Sequence, residues 1–263
     1  MNFRVIFAGL AFCLLAGASC DVVNDYTSPY EPLVGEGRTV LLEEYTGMRC
    51  VNCPAAAAEA QLLKKTFGDR LIIVSVHAGG FAEPYGIFQP DLRSEAGNAY
   101  FLSFGFAGTP VGMVGRSARS GSVALNPSRW AAAVREEMAV ASPVGLELET
   151  VYDPDSRNYT CRLAVTGLQG LTPAVTLWLV EDGIVTPQVI PGGIDENYTQ
   201  HNVLRGALNG TWGEGVTPDA AGMWQAVRTY TLPAGYAAER CRIVAFVTSV
   251  SCEVLCITEE PVI

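Results

Sequence analysis

Lysine is nearly missing from this chain. Its 263 residues hold two, the adjacent Lys64 and Lys65, and 17 basic side chains stand against 27 acidic ones for a formal net charge of -10. Without a basic run, that balance argues against a nucleic-acid or anionic-membrane surface and leaves the acidity as a solubility feature. A run long enough to span a bilayer is also lacking: residues 5–17 supply about 13 apolar positions where about 20 are needed. After residue 143 no acid/base or metal-ligating constellation occurs, so any chemistry belongs to the first half.

What stands at the start is an export signal. Arg4, the apolar run and the small pair Ala18-Ser19 before Cys20 make residues 1–19 a secretory signal. The cysteine after small residues resembles the lipobox of bacterial lipoproteins, in which Cys20 becomes the lipidated N-terminus and the membrane is held through that lipid. Gly17 stands where that box usually has leucine, and a soluble secreted protein whose Cys20 only lies near the cut is the alternative. Residues 20–37 contain Pro29, Pro32 and two glycines without period and read as a tether, reaching roughly 50 Å if fully extended.

The remaining length, about half of it apolar, suffices for two cores. The stretch from Glu43 to Pro54 runs from an apolar strand (40–45) through the break Thr46-Gly47 to Cys50-Val51-Asn52-Cys53-Pro54 and an Ala-rich helix. Two thiols three positions apart at a helix start can bridge, and the helix N-terminus favours the thiolate, so Cys50 is the expected nucleophile. Arg49 adds a positive field. The same spacing also makes half a zinc site or a plain structural staple. Ala56, Ala60, Leu63 and Phe67 form one helical stripe, and the apolar run 71–76 suits a strand buried on both faces, giving a βαβ unit with the cysteines at its first turn. Asp91 is placed to cap a helix through Ser103, and Asn126-Pro127 to open a last helix whose Trp130, Ala133, Val134 and Met138 share a face. His77, at the carboxyl end of a central strand, falls near the ligand-binding edge of an α/β sheet, though a simple hydrogen-bonded histidine fits as well.

Residues 38–142 resemble a thioredoxin-like domain: C-x-x-C-P at a strand-to-helix turn, an acid six positions before the first cysteine, and Thr109-Pro110 at the start of a later strand. The whole mature chain resembles the twenty-eight-kilodalton outer-membrane protein family of lipoproteins. Glu43-Glu44-Tyr45-Thr46-Gly47 before the cysteines, Ser75-Val76-His77-Ala78-Gly79, and Thr109-Pro110-Val111-Gly112-Met113-Val114-Gly115-Arg116 carry that resemblance. It implies an outer-membrane location, Cys50 as nucleophile and Cys53 as resolver, and Glu44 as the buried acid that takes the resolver's proton. It also implies a cis Thr109-Pro110 bond beside the cysteines. Glu43 points to the opposite face of its strand and reads as solvated.

From residue 143 the period becomes two, in Val144, Leu146, Leu148, then Tyr159, Cys161, Leu163, Val165, then Val175, Leu177, Leu179. With later runs at 226–231, 242–247 and 253–258, about seven strands suit a β-sandwich of immunoglobulin type over 143–263, and Cys161, Trp178 and Cys241 follow the Cys…Trp…Cys order. Residues 190–215 are polar and Gly-rich, with Tyr198, His201, Asn202 and Arg205 close together, and fit a binding loop at the end of a sandwich as well as a plain connection. The fold expected is thus α+β in two domains. The leading function is disulfide exchange with exported proteins through mixed disulfides, with no cofactor and no metal. The alternatives are a surface binding protein or adhesin whose bridge is a staple, and a zinc site joining Cys50 and Cys53 to Cys252 and Cys256.

Overall fold

The computed structural model describes residues 37–263. The signal segment, Cys20 and the tether lie outside the described residues, apart from the last residue of the tether.

Strand β1 (Val40–Thr46), helix α1 (Cys53–Phe67) and strand β2 (Leu71–His77) form the expected unit, with β1 and β2 parallel and Glu44 opposite Ser75. Pro54 fits the first turn of α1, where its missing N–H costs nothing. The α1 stripe packs as the spacing predicts: Ala56, Ala60, Leu63 and Phe67 are buried with Trp130, Val134 and Met138 of helix α3 (Trp130–Met138) on one face of the sheet. Helix α2 (Glu95–Ser103) covers the other face, and strand β3 (Val111–Val114) pairs antiparallel with β1. Gly112 of β3 must be glycine, since a Cβ there would lie 2.6 Å from the Trp130 ring.

Two local expectations need correction. Helix α2 begins at Ser94, not at Asp91, because the Ser94 hydroxyl accepts the Gly97 N–H at 3.0 Å. Asp91 instead takes the backbone N–H and the guanidinium of Arg93. Glu43 is not solvated. It is fully buried, bonded to Arg116 at 2.6 and 3.1 Å, and accepts the Tyr45 hydroxyl at 3.1 Å. The Arg116 guanidinium lies over the rings of Tyr100, Phe104, Trp178 and Phe246 at 4.6 to 5.4 Å from their centroids. Alternation does put Glu43 on the face opposite Glu44, but α2 and the second half close over that side.

Ten further strands follow, more than the seven expected. They are β4 (Gly145–Asp153), β5 (Asn158–Thr166), β6 (Ala174–Glu181), β7 (Ile184–Ile190), β8 (Gly193–Gln200), β9 (Val203–Ala207), β10 (Glu214–Gly215), β11 (Trp224–Thr231), β12 (Cys241–Thr248) and β13 (Val254–Pro261). The architecture is mixed α+β, mostly strands in several sheets. One sheet runs β13-β12-β6-β9-β2-β1-β3, with β10 on β6. A second has the order β11-β5-β4, and β7 with β8 makes a separate ribbon. The long sheet therefore crosses residue 142 without a break. Ser75 N–H donates to Asn202 O at 2.7 Å, and Arg242 donates to Ile73 O at 3.0 Å, so the β2 edge is closed by the second half.

Alternation along β6 divides its side chains between two cores. Val175, Leu177 and Leu179 face the three-stranded sheet with Tyr159, Leu163 and Ile243, while Trp178 and Val180 join Tyr45, Tyr100 and Phe246 on the α2 side. Cys161 and Cys241 lie in the first core, both buried and unpaired, with burial pushing each thiol up to about 12. Trp178 thus faces away from the two cysteines, and the Cys…Trp…Cys order does not become a contact. Cys252 and Cys256 are also unpaired. Among the described residues no helix is long and apolar enough to cross a membrane.

Candidate active site

The site forms where β1 ends. Gly47 turns the chain against the segment 80–82, so closely that a Cβ would lie 2.5 Å from the Phe81 carbonyl carbon. Arg49 N–H donates to Phe81 O at 3.0 Å, and Cys50 N–H to Gly47 O at 3.0 Å. Met48 anchors the turn from within, fully buried among Phe88, Leu92 and Val203. This places Cys50 immediately before α1 and Cys53 in its first turn, bridged as a disulfide with Cα atoms 5.4 Å apart. Bridging leaves no thiolate pair for zinc. Among the described residues no group of three or more His, Cys, Asp or Glu is placed to hold a metal ion, so Cys252 and Cys256 do not join the site.

The sequence-picked residues assemble unevenly. The Thr109-Pro110 bond is cis, and Cys50 Sγ lies 3.6 Å from the Thr109 carbonyl oxygen, to which a reduced thiol can donate. Arg49 is sequentially beside Cys50, but its guanidinium donates to Gly80 O and lies 5.9 Å from the Tyr85 ring centroid. His77 is 1% exposed and neither ring nitrogen has a hydrogen-bond partner among the described residues. Burial, and after it the charge of Arg205, hold its pKa down to about 3, so it stays neutral.

Glu44 is 2% exposed on the α1 side of the sheet. The Ser75 hydroxyl approaches one carboxylate oxygen at 3.4 Å, and the other has no partner among the described residues. Burial pushes its pKa up from 4.5 to about 7, with Ser75 pulling the other way. Glu44, Ser75 and Cys53 line a cavity of about 330 Å³ together with Gln188, Tyr198 and Gln200 of the second half. A carboxyl poised near neutrality can take a proton from a thiol and return it, and here such a group lines the same cavity as Cys53. On the other flank a groove of about 300 Å³ runs past Arg49, Gly79, Phe81, Phe101 and Thr109.

Of the residues that the second half brings to the cavity, sequence reasoning picks out Tyr198 and misses Gln188 and Gln200, which come from β7 and β8. They sit in no motif, and the only sequence signal is the alternation of Thr186 and Gln188 in β7.

The fold has relatives among solved structures. HBP35 of Porphyromonas gingivalis superposes with a TM-score of 0.69 at 17% identity, covering 86% of this chain and 76% of that one. A structural-genomics protein from Agrobacterium tumefaciens gives 0.53 at 13% identity, covering 88% of this chain and 97% of that one. At these identities the likeness is one of fold. A domain of the outer membrane lipoprotein Omp28 from Porphyromonas gingivalis is 24% identical over 45% of this chain and 86% of that domain, with a TM-score of 0.32. No curated protein sequence matches the chain. The family described as outer membrane protein Omp28 matches residues 97–262, a segment that begins within α2, beyond the cysteine pair. That segment is more than half of the chain, which therefore belongs to the outer membrane protein Omp28 family and is a protein of the outer membrane.

Proposed function

We propose that this protein is lipid-anchored through Cys20 and exchanges disulfides with exported proteins. In this reading residues 38–142 act as a thioredoxin-like unit presented by an immunoglobulin-like sandwich, residues 143–263. Support for the first unit comes from the parallel β1-α1-β2 arrangement, with α1 and α3 on one face, α2 on the other, and the cis Thr109-Pro110 bond beside Cys50. Support for the second comes from the antiparallel strands β13, β12 and β6 of the long sheet, which enclose one core with the antiparallel sheet β11-β5-β4. The observation that carries the functional reading is the cavity that Glu44 and Cys53 both line, with the carboxyl held near neutrality.

The chemistry balances within these residues and a partner disulfide. The Cys50 thiolate attacks one partner sulfur, forming a mixed disulfide and releasing the other as a thiolate. Glu44 accepts the Cys53 proton. The Cys53 thiolate then attacks Cys50 Sγ, which forms the internal bridge, breaks the mixed disulfide and releases the second partner thiolate. Each partner thiolate takes a proton from solvent, and Glu44 gives its proton up. Run backward, the same steps place a disulfide in the partner.

Trapping tests it. A Cys53→Ser variant should accumulate mixed disulfides with exported proteins through Cys50, and after reduction of the wild type Cys50 should alkylate faster than Cys53 near neutral pH. No reducible adducts and equal alkylation rates would refute the proposal. One observation favours a second reading, a binding protein whose bridge is a staple: Cys50 and Cys53 expose only 3% and 2% of their surface. For such a staple the reduction potential lies below about -300 mV, whereas exchanging pairs lie higher.

A further inference from the structure

The ribbon of β7 and β8 belongs to the second half yet lies on the cysteine turn of the first. Its register shifts between Thr186 and Gln188, at Pro187, a residue that cannot donate to a ladder, and irregularities of this kind re-aim side chains. Gln188 is 1% exposed. Its Nε2 donates to Cys50 O at 3.0 Å and Val189 O at 3.1 Å, with Gly47 O at 3.4 Å. Its Oε1 accepts from Gln200 Nε2 at 3.1 Å, and Gln200 also donates to Thr186 Oγ1 at 3.3 Å. Val189 N–H donates to Met48 O at 2.8 Å. The carbonyls of Gly47, Met48 and Cys50, three of the four residues of the turn, are therefore held from the ribbon.

The orientation of the amide follows from its partners. Because Gln200 supplies a donor, Gln188 must offer it the oxygen. A flipped amide would set two donors against each other there and its own oxygen against the Cys50 carbonyl.

We propose that Gln188 is a positioning residue for Cys50, and that the ribbon of the second half thereby sets the redox poise of the Cys50–Cys53 pair. Closing the bridge requires the two sulfurs to be held together, and a turn whose carbonyls are already pinned has part of that ordering in place. The effective concentration of one thiol toward the other rises, and the disulfide becomes harder to reduce. The inference rests on the exchange reading only in taking the pair to cycle between dithiol and disulfide. Its test uses dithiothreitol as the redox partner, so the absence of a protein partner would leave it standing.

The experiment equilibrates the full chain with reduced and oxidised dithiothreitol and compares wild type, Gln188→Leu and Gln200→Leu. Leucine at 188 keeps bulk and removes the donors, while leucine at 200 removes the bond that orients the amide. Gln188→Leu should lower the equilibrium constant for bridge formation about tenfold, about 30 mV toward easier reduction for a two-electron couple. Gln200→Leu should move it in the same direction by less. Urea unfolding of each variant in both redox states should find the oxidised form losing more stability than the reduced one, which a purely structural contact would not produce. A constant within twofold of wild type in a variant that folds overturns the proposal, as does equal destabilisation of both redox states. Failure of both variants to fold also overturns it, because the ribbon would then be a stabilising element alone.

Discussion

Replacing Glu44 by glutamine should stabilise the oxidised protein, and by an amount that grows with pH. In the folded state burial holds the carboxyl near pKa 7, against 4.5 for the exposed group. Between those values the folded state keeps a proton that the unfolded state has lost, so stability is greatest below pH 4.5, falls as pH rises toward 7, and levels off above it. At 1.36 kcal/mol per pH unit, the difference amounts to about 3 kcal/mol by pH 8. Glutamine has the shape without the charge and escapes this loss. Urea denaturation of wild type and Glu44→Gln at pH 5 and pH 8 cancels every other titrating group that the variant leaves alone, and the gap between the two proteins should widen by about 2 to 3 kcal/mol. A gap that does not change with pH would refute the argument, since it would mean that Glu44 titrates like a solvated carboxylate.

Other consequences follow from single groups. Glu43→Gln leaves the Arg116 guanidinium buried without its counter-charge and should cost about 3–5 kcal/mol by denaturation, with the double variant Glu43→Leu/Arg116→Met recovering most of it. Cys20→Ala should shift the protein out of the membrane fraction, and mass spectrometry of the mature wild type should find a lipid on Cys20; an unchanged fraction or an unmodified N-terminus elsewhere would remove the anchor from the account.

Much of the site was legible because its parts are local. The cysteine spacing, Pro54 and the stripe from Ala56 to Phe67 belong to one turn and one helix, whereas the role of Glu44 comes only with the family resemblance. Thr109-Pro110 needed a resemblance, since nothing in two residues says that they will meet a cysteine about sixty positions away. The burial of Glu43 is set from afar: its partner Arg116, and the Trp178 and Phe246 rings against that guanidinium, lie in other segments, and an acid beside Glu44 carries no mark of them. The ribbon escaped for a different reason. Strand β8 is largely exposed, so it has the polarity of a connection, and only its pairing with β7 identifies it as a strand. Its last residue, Gln200, is buried, and it reaches the site together with Tyr198.

The place of β9 in the long sheet bears on the order of events during export. A chain crossing a membrane emerges from its N-terminus, so β1, α1 and β2 are outside while β9 is still to come. Until residues 174–203 arrive, Tyr100 lacks Trp178, the cysteine turn has no ribbon over it and the outer edge of β2 has no neighbour, and Phe246 joins that core only later. Cys50 and Cys53 therefore emerge well ahead of the ribbon that holds their turn, which is complete only at Gln200.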